Sequence, residues 1–249
     1  MEPVSAVLEV IPAIDLKEGR CVRLRQGRME DATVYGDDPV AQARRWEEAG
    51  ATWLHLVDLD GAFAGAPRNL KAVTDIVNAS GCRVEVGGGI RDMERVGAYL
   101  EAGVARVILG SAAVRNPDLV GEASRAFPSR VVVGIDAVRG KVAVQGWAEV
   151  TEVEATDLAR RMGVMGAAAI VYTDIDRDGM QAGVNLEATR EVARAAGIPV
   201  IASGGVATLE DVRALLPLVA DGVTGVITGR AIYEGTLDLA EAIRVGRCA

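Results

Sequence analysis

The chain has 249 residues, half of them hydrophobic and a quarter charged, which suits one large domain or two small ones with an ample core. Its formal net charge of −8 at pH 7 argues against nucleic acid as a partner, because phosphate backbones are held mainly by Lys and Arg, and leaves any small anion to be captured locally. Cys21, Cys82 and Cys248 lack CxxC spacing and indicate neither a disulfide framework nor a zinc site, and the longest uncharged apolar stretch, 162–173, is too short for a membrane span.

In chain order, β-branched apolar runs alternate with amphipathic stretches. Strands are predicted at 8–15, 53–58, 83–86, 106–109, 131–136, 168–173, 199–202 and 225–228. Helices are predicted at 40–49, 70–78, 93–102, 118–126, 152–161, 186–195, 209–216 and 237–245. Val131-Val132-Val133 and Ala168-Ala169-Ile170-Val171 are continuous apolar runs, as strands of a parallel sheet covered on both faces should be. Gly50, Gly103 and Gly197 follow helices, as C-terminal caps. Eight such units in about 250 residues is the size of a TIM (β/α)8 barrel. An open, doubly wound sheet gives the same local alternation. The N-terminus has no Lys or Arg before Lys17 and no long apolar core, so no signal peptide is expected and a reduced cytoplasm is the expected setting.

An internal repeat decides between the two architectures. Ile14-Asp15 and Gly19 recur as Ile135-Asp136 and Gly140, 121 residues later (136 − 15). Asp58-Leu59-Asp60, Asn69-Leu70 and Gly88-Gly89 recur as Asp174-Ile175-Asp176, Asn185-Leu186 and Gly204-Gly205, each 116 residues later (174 − 58, 204 − 88). Gly110 pairs with Gly229 at 119 (229 − 110). A closed barrel accommodates duplication symmetrically, whereas an open sheet has distinct edges, so a single barrel is expected, with half-barrels at about 8–126 and 130–246.

Active sites of such barrels lie at the C-terminal ends of the strands. Asp15, Asp58, Asp136 and Asp174 fall at or near those ends, and Asp178 in the loop after the sixth strand. Strands one and five lie on opposite sides of an eight-stranded ring, so Asp15 and Asp136 would face each other as a paired acid and base. The alternative is that a strand-end aspartate caps the following turn. Gly88-Gly89, Gly110-Ser111, Gly204-Gly205 and Gly229-Arg230 bring bare backbone to helix starts, where N–H groups bind anions. Two such sites on opposite rims imply an elongated, bisphosphorylated small molecule. His55, the one histidine, reads as structural more readily than catalytic. Without further His or Cys ligands no metal is expected. Trp147 could stack on an aromatic ligand or plug its own loop.

The motifs Ile11-Pro12-Ala13-Ile14-Asp15-Leu16, Val22-Arg23-Leu24 with Gln26-Gly27, Leu54-His55-Leu56-Val57-Asp58-Leu59-Asp60-Gly61, the segment 86–91, Gly146-Trp147 and Thr173-Asp174-Ile175 with Arg177-Asp178-Gly179 closely resemble the histidine-biosynthesis ProFAR isomerase family. The sister cyclase typically carries Cys-Leu-Asp where this chain has Ala13-Ile14-Asp15. The dual-substrate isomerases of actinobacteria usually place an Arg where this chain has Gln145. The resemblance implies an Amadori rearrangement of an aminoaldose to an aminoketose, without redox step, metal or cofactor. It places Asp15 on the family's proton acceptor and leaves Asp136 and Asp178 as candidate donors. Thr173 and Arg91 would orient the ligand, and Gly88, Gly89, Ser111, Gly204, Gly205, Gly229 and Arg230 would hold the phosphates.

Overall fold

The computed structural model describes residues 7–25 and 28–247; Cys248 and the Gln26-Gly27 pair lie outside them. Eight parallel strands form the centre: β1 (Glu9–Lys17), β2 (Trp53–Asp58), β3 (Arg83–Gly87), β4 (Arg106–Leu109), β5 (Val131–Val138), β6 (Ala169–Asp174), β7 (Val200–Ser203) and β8 (Val223–Thr228). Each is hydrogen-bonded to the next, β8 pairs with β1, and the ring is closed. The architecture is a TIM (β/α)8 barrel, and the open sheet is excluded.

Side-chain alternation along the strands sorts the core into two compartments. Ile11, Ala13, Trp53, Ile108, Val132, Val171, Ile201 and Ile227 point inward and form the smaller cluster. Their neighbours Val10, Ile14, Leu54, Leu56, Val84, Val86, Val107, Val133 and Val226 point outward into the larger cluster, which the surrounding helices cover. Fully burying each such side chain contributes roughly 1.5–3 kcal/mol. The inner compartment also holds charge. Glu85 is wholly buried, with one oxygen 2.8 Å from His55 Nδ1 and the other 2.5 Å from Arg106. Burial opposes ionisation of Glu85, and the His55 and Arg106 bonds outweigh it, holding the carboxyl below its usual range.

Two hairpins not expected from the sequence rise from the C-terminal ends of the barrel strands. After β1 the chain turns at Glu18-Gly19 into the antiparallel strand Arg20–Arg25, which pairs with Arg28–Gly36. After β5 it turns at Arg139-Gly140 into Lys141–Val144, which pairs with Glu149–Glu154. Both two-residue turns have positive φ at each position (51° and 73°; 50° and 82°), the type I′ geometry that glycine favours at its second residue. The repeated Gly19 and Gly140 are thus hairpin turns. The helix expected at 152–161 runs instead over Ala155–Val164, because the alternating Glu149–Glu154 segment is spent on the second hairpin strand.

Candidate active site

One cavity opens at the C-terminal ends of the barrel strands, and Asp15, Asp136, Asp178, Arg91, Trp147, Thr173 and the glycine, serine and arginine residues expected at the phosphates all line it. His55 lines it as well. Asp58 and Asp174 do not. Asp58 is wholly buried and caps the turn that follows, accepting from the N–H groups of Gly61 (2.8 Å), Arg68 (2.7 Å) and Asn69 (2.9 Å) and from the Tyr99 hydroxyl (3.1 Å). Asp174 accepts from Asn185 Nδ2 at 2.7 Å in the matching turn. Of the three duplicated aspartate pairs, Asp15/Asp136, Asp58/Asp174 and Asp60/Asp176, only the first lines the cavity.

Asp15 lies two residues before the end of β1, where the hairpin strand Arg20–Arg25 lies alongside with Val22 opposite Asp15 in register. The next residue, Arg23, places Nη1 3.0 Å from Asp15 Oδ1. Burial raises the Asp15 carboxyl, and Arg23, followed by His55, works in the opposite direction. Asp136 accepts from the indole N–H of Trp147 at 2.9 Å. Burial raises its carboxyl too, against the bonds from Trp147 and Thr173. Asp178 makes no side-chain hydrogen bond among the described residues. Burial lifts it to about 6, with Arg23 opposing and the nearby Asp15 and Asp136 carboxyls adding to the rise. Three carboxyl groups with unequal partners therefore share one partly buried mouth.

Trp147 reaches Asp136 from the turn of the second hairpin, where Gln145, Gly146 and Trp147 all have positive φ (58°, 63° and 73°). For Gln and Trp this conformation is strained, and such strain is concentrated at functional sites. The backbone N–H of Gln145 donates to Ser111 Oγ at 2.9 Å, tying the turn to the rim after β4. Arg91 donates to the Ala62 carbonyl at 3.3 Å, tying the loop after β3 to the short helix Leu59–Ala64 that follows β2.

The glycine pairs are fixed by packing as well as by position. A Cβ at Gly88 would strike the Asp58 carbonyl, and one at Gly204 the Asp174 carbonyl. One at Gly89 would strike the Gly61 carbonyl, and one at Gly205 the Gly183 carbonyl. All four glycines have positive φ. Each pair lies in a loop that faces a second glycine-started turn, Gly110-Ser111 or Gly229-Arg230, so two backbone-lined cups sit on opposite rims. The Arg230 guanidinium itself is engaged within the protein, 2.6 Å from Glu234 Oε1 and 2.7 Å from the Gly179 carbonyl.

Arg23 and Phe63 were not singled out by sequence reasoning. Arg23 lies against Gly229 as well as Asp15, and its signal was the Glu18-Gly19 hairpin turn, which brings the following strand back along β1. Phe63, 55% exposed, lines the cavity beside Gly146 and carries no local motif. Among the described residues, no three His, Cys, Asp or Glu side chains are grouped to hold a metal ion. No helix among them is long and apolar enough to cross a membrane.

Residues 9–238 match the family described as histidine biosynthesis protein. Proteins named as 1-(5-phosphoribosyl)-5-((5-phosphoribosylamino)methylideneamino) imidazole-4-carboxamide isomerase are similar over nearly the whole chain. That of Syntrophotalea carbinolica is 62% identical, covering 94% of this chain and 96% of its own. That of Geotalea daltonii is 61% identical over 96% and 97%, and that of Geobacter sulfurreducens 60% identical over 94% and 96%. The chain belongs to the histidine biosynthesis protein family.

Proposed function

We propose that the chain is an isomerase acting on the bisphosphorylated aminoaldose named for those relatives, which it converts to the corresponding aminoketose. The observation that carries this reading is Asp15, held by Arg23, facing Asp136 and Asp178 between two backbone-lined cups. An Amadori rearrangement needs an acid to protonate the ribose ring oxygen, so that the ring opens to an iminium. It then needs a base to remove the C2 proton, after which the enolamine tautomerises to the ketone. Each well-placed proton transfer contributes about 10²–10⁴-fold.

Asp15 is suited to be the base, because the adjacent guanidinium favours its charged form. Asp178 is suited to be the acid, since burial raises it to about 6 and no side-chain bond among the described residues ties up its proton. Asp136, fixed by Trp147, is suited to orient the ligand. One phosphate would take the cup of Gly88, Gly89 and Ser111, and the other that of Gly204, Gly205 and Gly229 with the backbone N–H of Arg230. Two cups follow naturally if the halves 8–126 and 130–246 are copies of one half-barrel. Cys21 and Cys82 are free and buried, which suits a reducing cytoplasm.

The test is turnover by the purified protein after exhaustive chelation, with the imidazole aminoaldose and phosphoribosylanthranilate assayed side by side. Conversion of the first alone is expected. No turnover of either, or activity that returns only on adding Mg²⁺ or Zn²⁺, would overturn the acid–base reading. Gln145 bonds to Glu149 at 2.8 Å in place of the Arg usual in dual-substrate enzymes, which supports the narrower specificity.

A further inference from the structure

Glu234 lies outside the cavity lining and at the end of a short helix, yet three segments converge on its carboxylate. Arg230 Nε donates to Oε1 at 2.6 Å, the Tyr35 hydroxyl to Oε1 at 3.3 Å and Gln181 Nε2 to Oε2 at 3.0 Å. Those donors come from the start of the helix Arg230–Glu234, the hairpin strand Arg28–Gly36 and the loop after β6. The same Arg230 donates through Nη1 to the Gly179 carbonyl at 2.7 Å, one residue past Asp178. The loop is thus gripped at Gly179 and Gln181 from one side. From the other, Arg177 Nη1 donates to the Gly183 carbonyl at 2.9 Å, and the Asp178 N–H to the Asp174 carbonyl at 3.0 Å. Among the described residues the Asp178 side chain has no hydrogen bond of its own, so its position is set by the backbone on either side of it.

We infer that Glu234 is a positioning residue, which orients the Arg230 guanidinium and through it fixes the loop that carries Asp178 over the cavity. An isolated, partly exposed ion pair contributes little to stability. Here the bonds aim a donor at the carbonyl next to Asp178. Because Arg230 also opens the helix at the Gly229 cup, the arrangement ties the placement of Asp178 to the rim where a phosphate would sit. A displacement of about 1 Å in a reacting group can cost about 10²-fold in rate. The consequence should therefore fall on kcat.

This inference rests on the proposed role of Asp178, and a double-mutant cycle separates the two. Glu234→Ala should lower kcat by about 10-fold or more with KM within a few-fold. Glu234→Gln, which keeps an acceptor for Arg230, should recover most of that loss. In an Asp178→Asn background, Glu234→Ala should change kcat by less than about 2-fold. Circular dichroism on each variant checks that the barrel is folded. A low-activity Asp178→Asn enzyme together with a folded Glu234→Ala enzyme of normal kcat overturns this inference alone, as does an undiminished Glu234→Ala effect in the Asp178→Asn background. Normal kcat in Asp178→Asn overturns the role of Asp178 and this inference with it.

Discussion

Arg23 holds Nη1 3.0 Å from Asp15 Oδ1, with both side chains largely buried. In the proposed mechanism Asp15 is the base; burial raises its carboxyl and the guanidinium opposes that by favouring the charged form, since an opposite charge at this distance lowers a carboxyl by about 1–3 units. Replacing Arg23 by Met keeps the apolar stem and removes the charge. The base must be ionised, so activity is lost as pH falls. The acid limb of kcat/KM should move to higher pH by about 1 unit or more in Arg23→Met. An unmoved acid limb would separate Asp15 from the pair.

Asp178 should define the opposite limb. A proton donor must be protonated, and burial raises this carboxyl to about 6, so kcat/KM should decline as pH rises through that region. The residual activity of Asp178→Asn should lack this limb, whereas a limb arising from the substrate's own phosphates would remain. Stability carries the same signature. Unfolded, Asp178 ionises near the ordinary aspartate value of 3.8; folded, at about 6. Between these the folded state binds more protons, so stability falls as pH rises from about 4 to about 6 and the cost persists above. Asp178→Asn should therefore be more stable than the parent at pH 8 by about 3 kcal/mol, with a Tm gain of roughly 6–12 °C that vanishes near pH 4. Equal melting temperatures at pH 8 would contradict the buried, ionised side chain.

The two glycine-lined cups proposed for the phosphates allow binding to be tested apart from folding. Gly88→Ala would place a Cβ against the Asp58 carbonyl at a left-handed backbone, so a loss of at least about 3 kcal/mol of stability is expected, and the same argument bars a side chain at Gly205. Ser111→Asp is the cleaner probe of the cup. An acidic residue at the first position of a helix is well tolerated, and it places a negative charge where a dianion would sit. KM should rise by about 10-fold or more with an unchanged circular dichroism spectrum. Unchanged KM in the folded variant would remove the phosphate from this cup.

Much of the frame was legible because it rests on short-range patterns. Val131-Val132-Val133 reads as a buried strand from its apolar run, and the Asp58 and Asp174 repeats mark equivalent turns. Roles that depend on distant partners were not legible. Asp58 and Asp15 are alike as strand-end aspartates, and the bonds from Gly61, Arg68, Asn69 and Tyr99 make the first a cap. The helices Ser111–Arg115 and Arg230–Glu234 are too short to give a period. The second hairpin was hidden because Glu149–Glu154 mixes β-branched residues with three glutamates, which favour helix as readily. Glu234 joins residues 35, 181 and 230, and no local window contains all three.

The role proposed for Asp15 as proton acceptor is central to the mechanism, and Asp15→Asn tests it most directly. Asn keeps the shape of Asp but cannot accept the C2 proton, so the loss should appear in kcat rather than in binding. Measured together by steady-state kinetics and calorimetric titration with the aminoaldose, the variant should lose about 10³-fold or more in kcat while its affinity stays within a few-fold. A folded Asp15→Asn enzyme with near-normal kcat would contradict the mechanism.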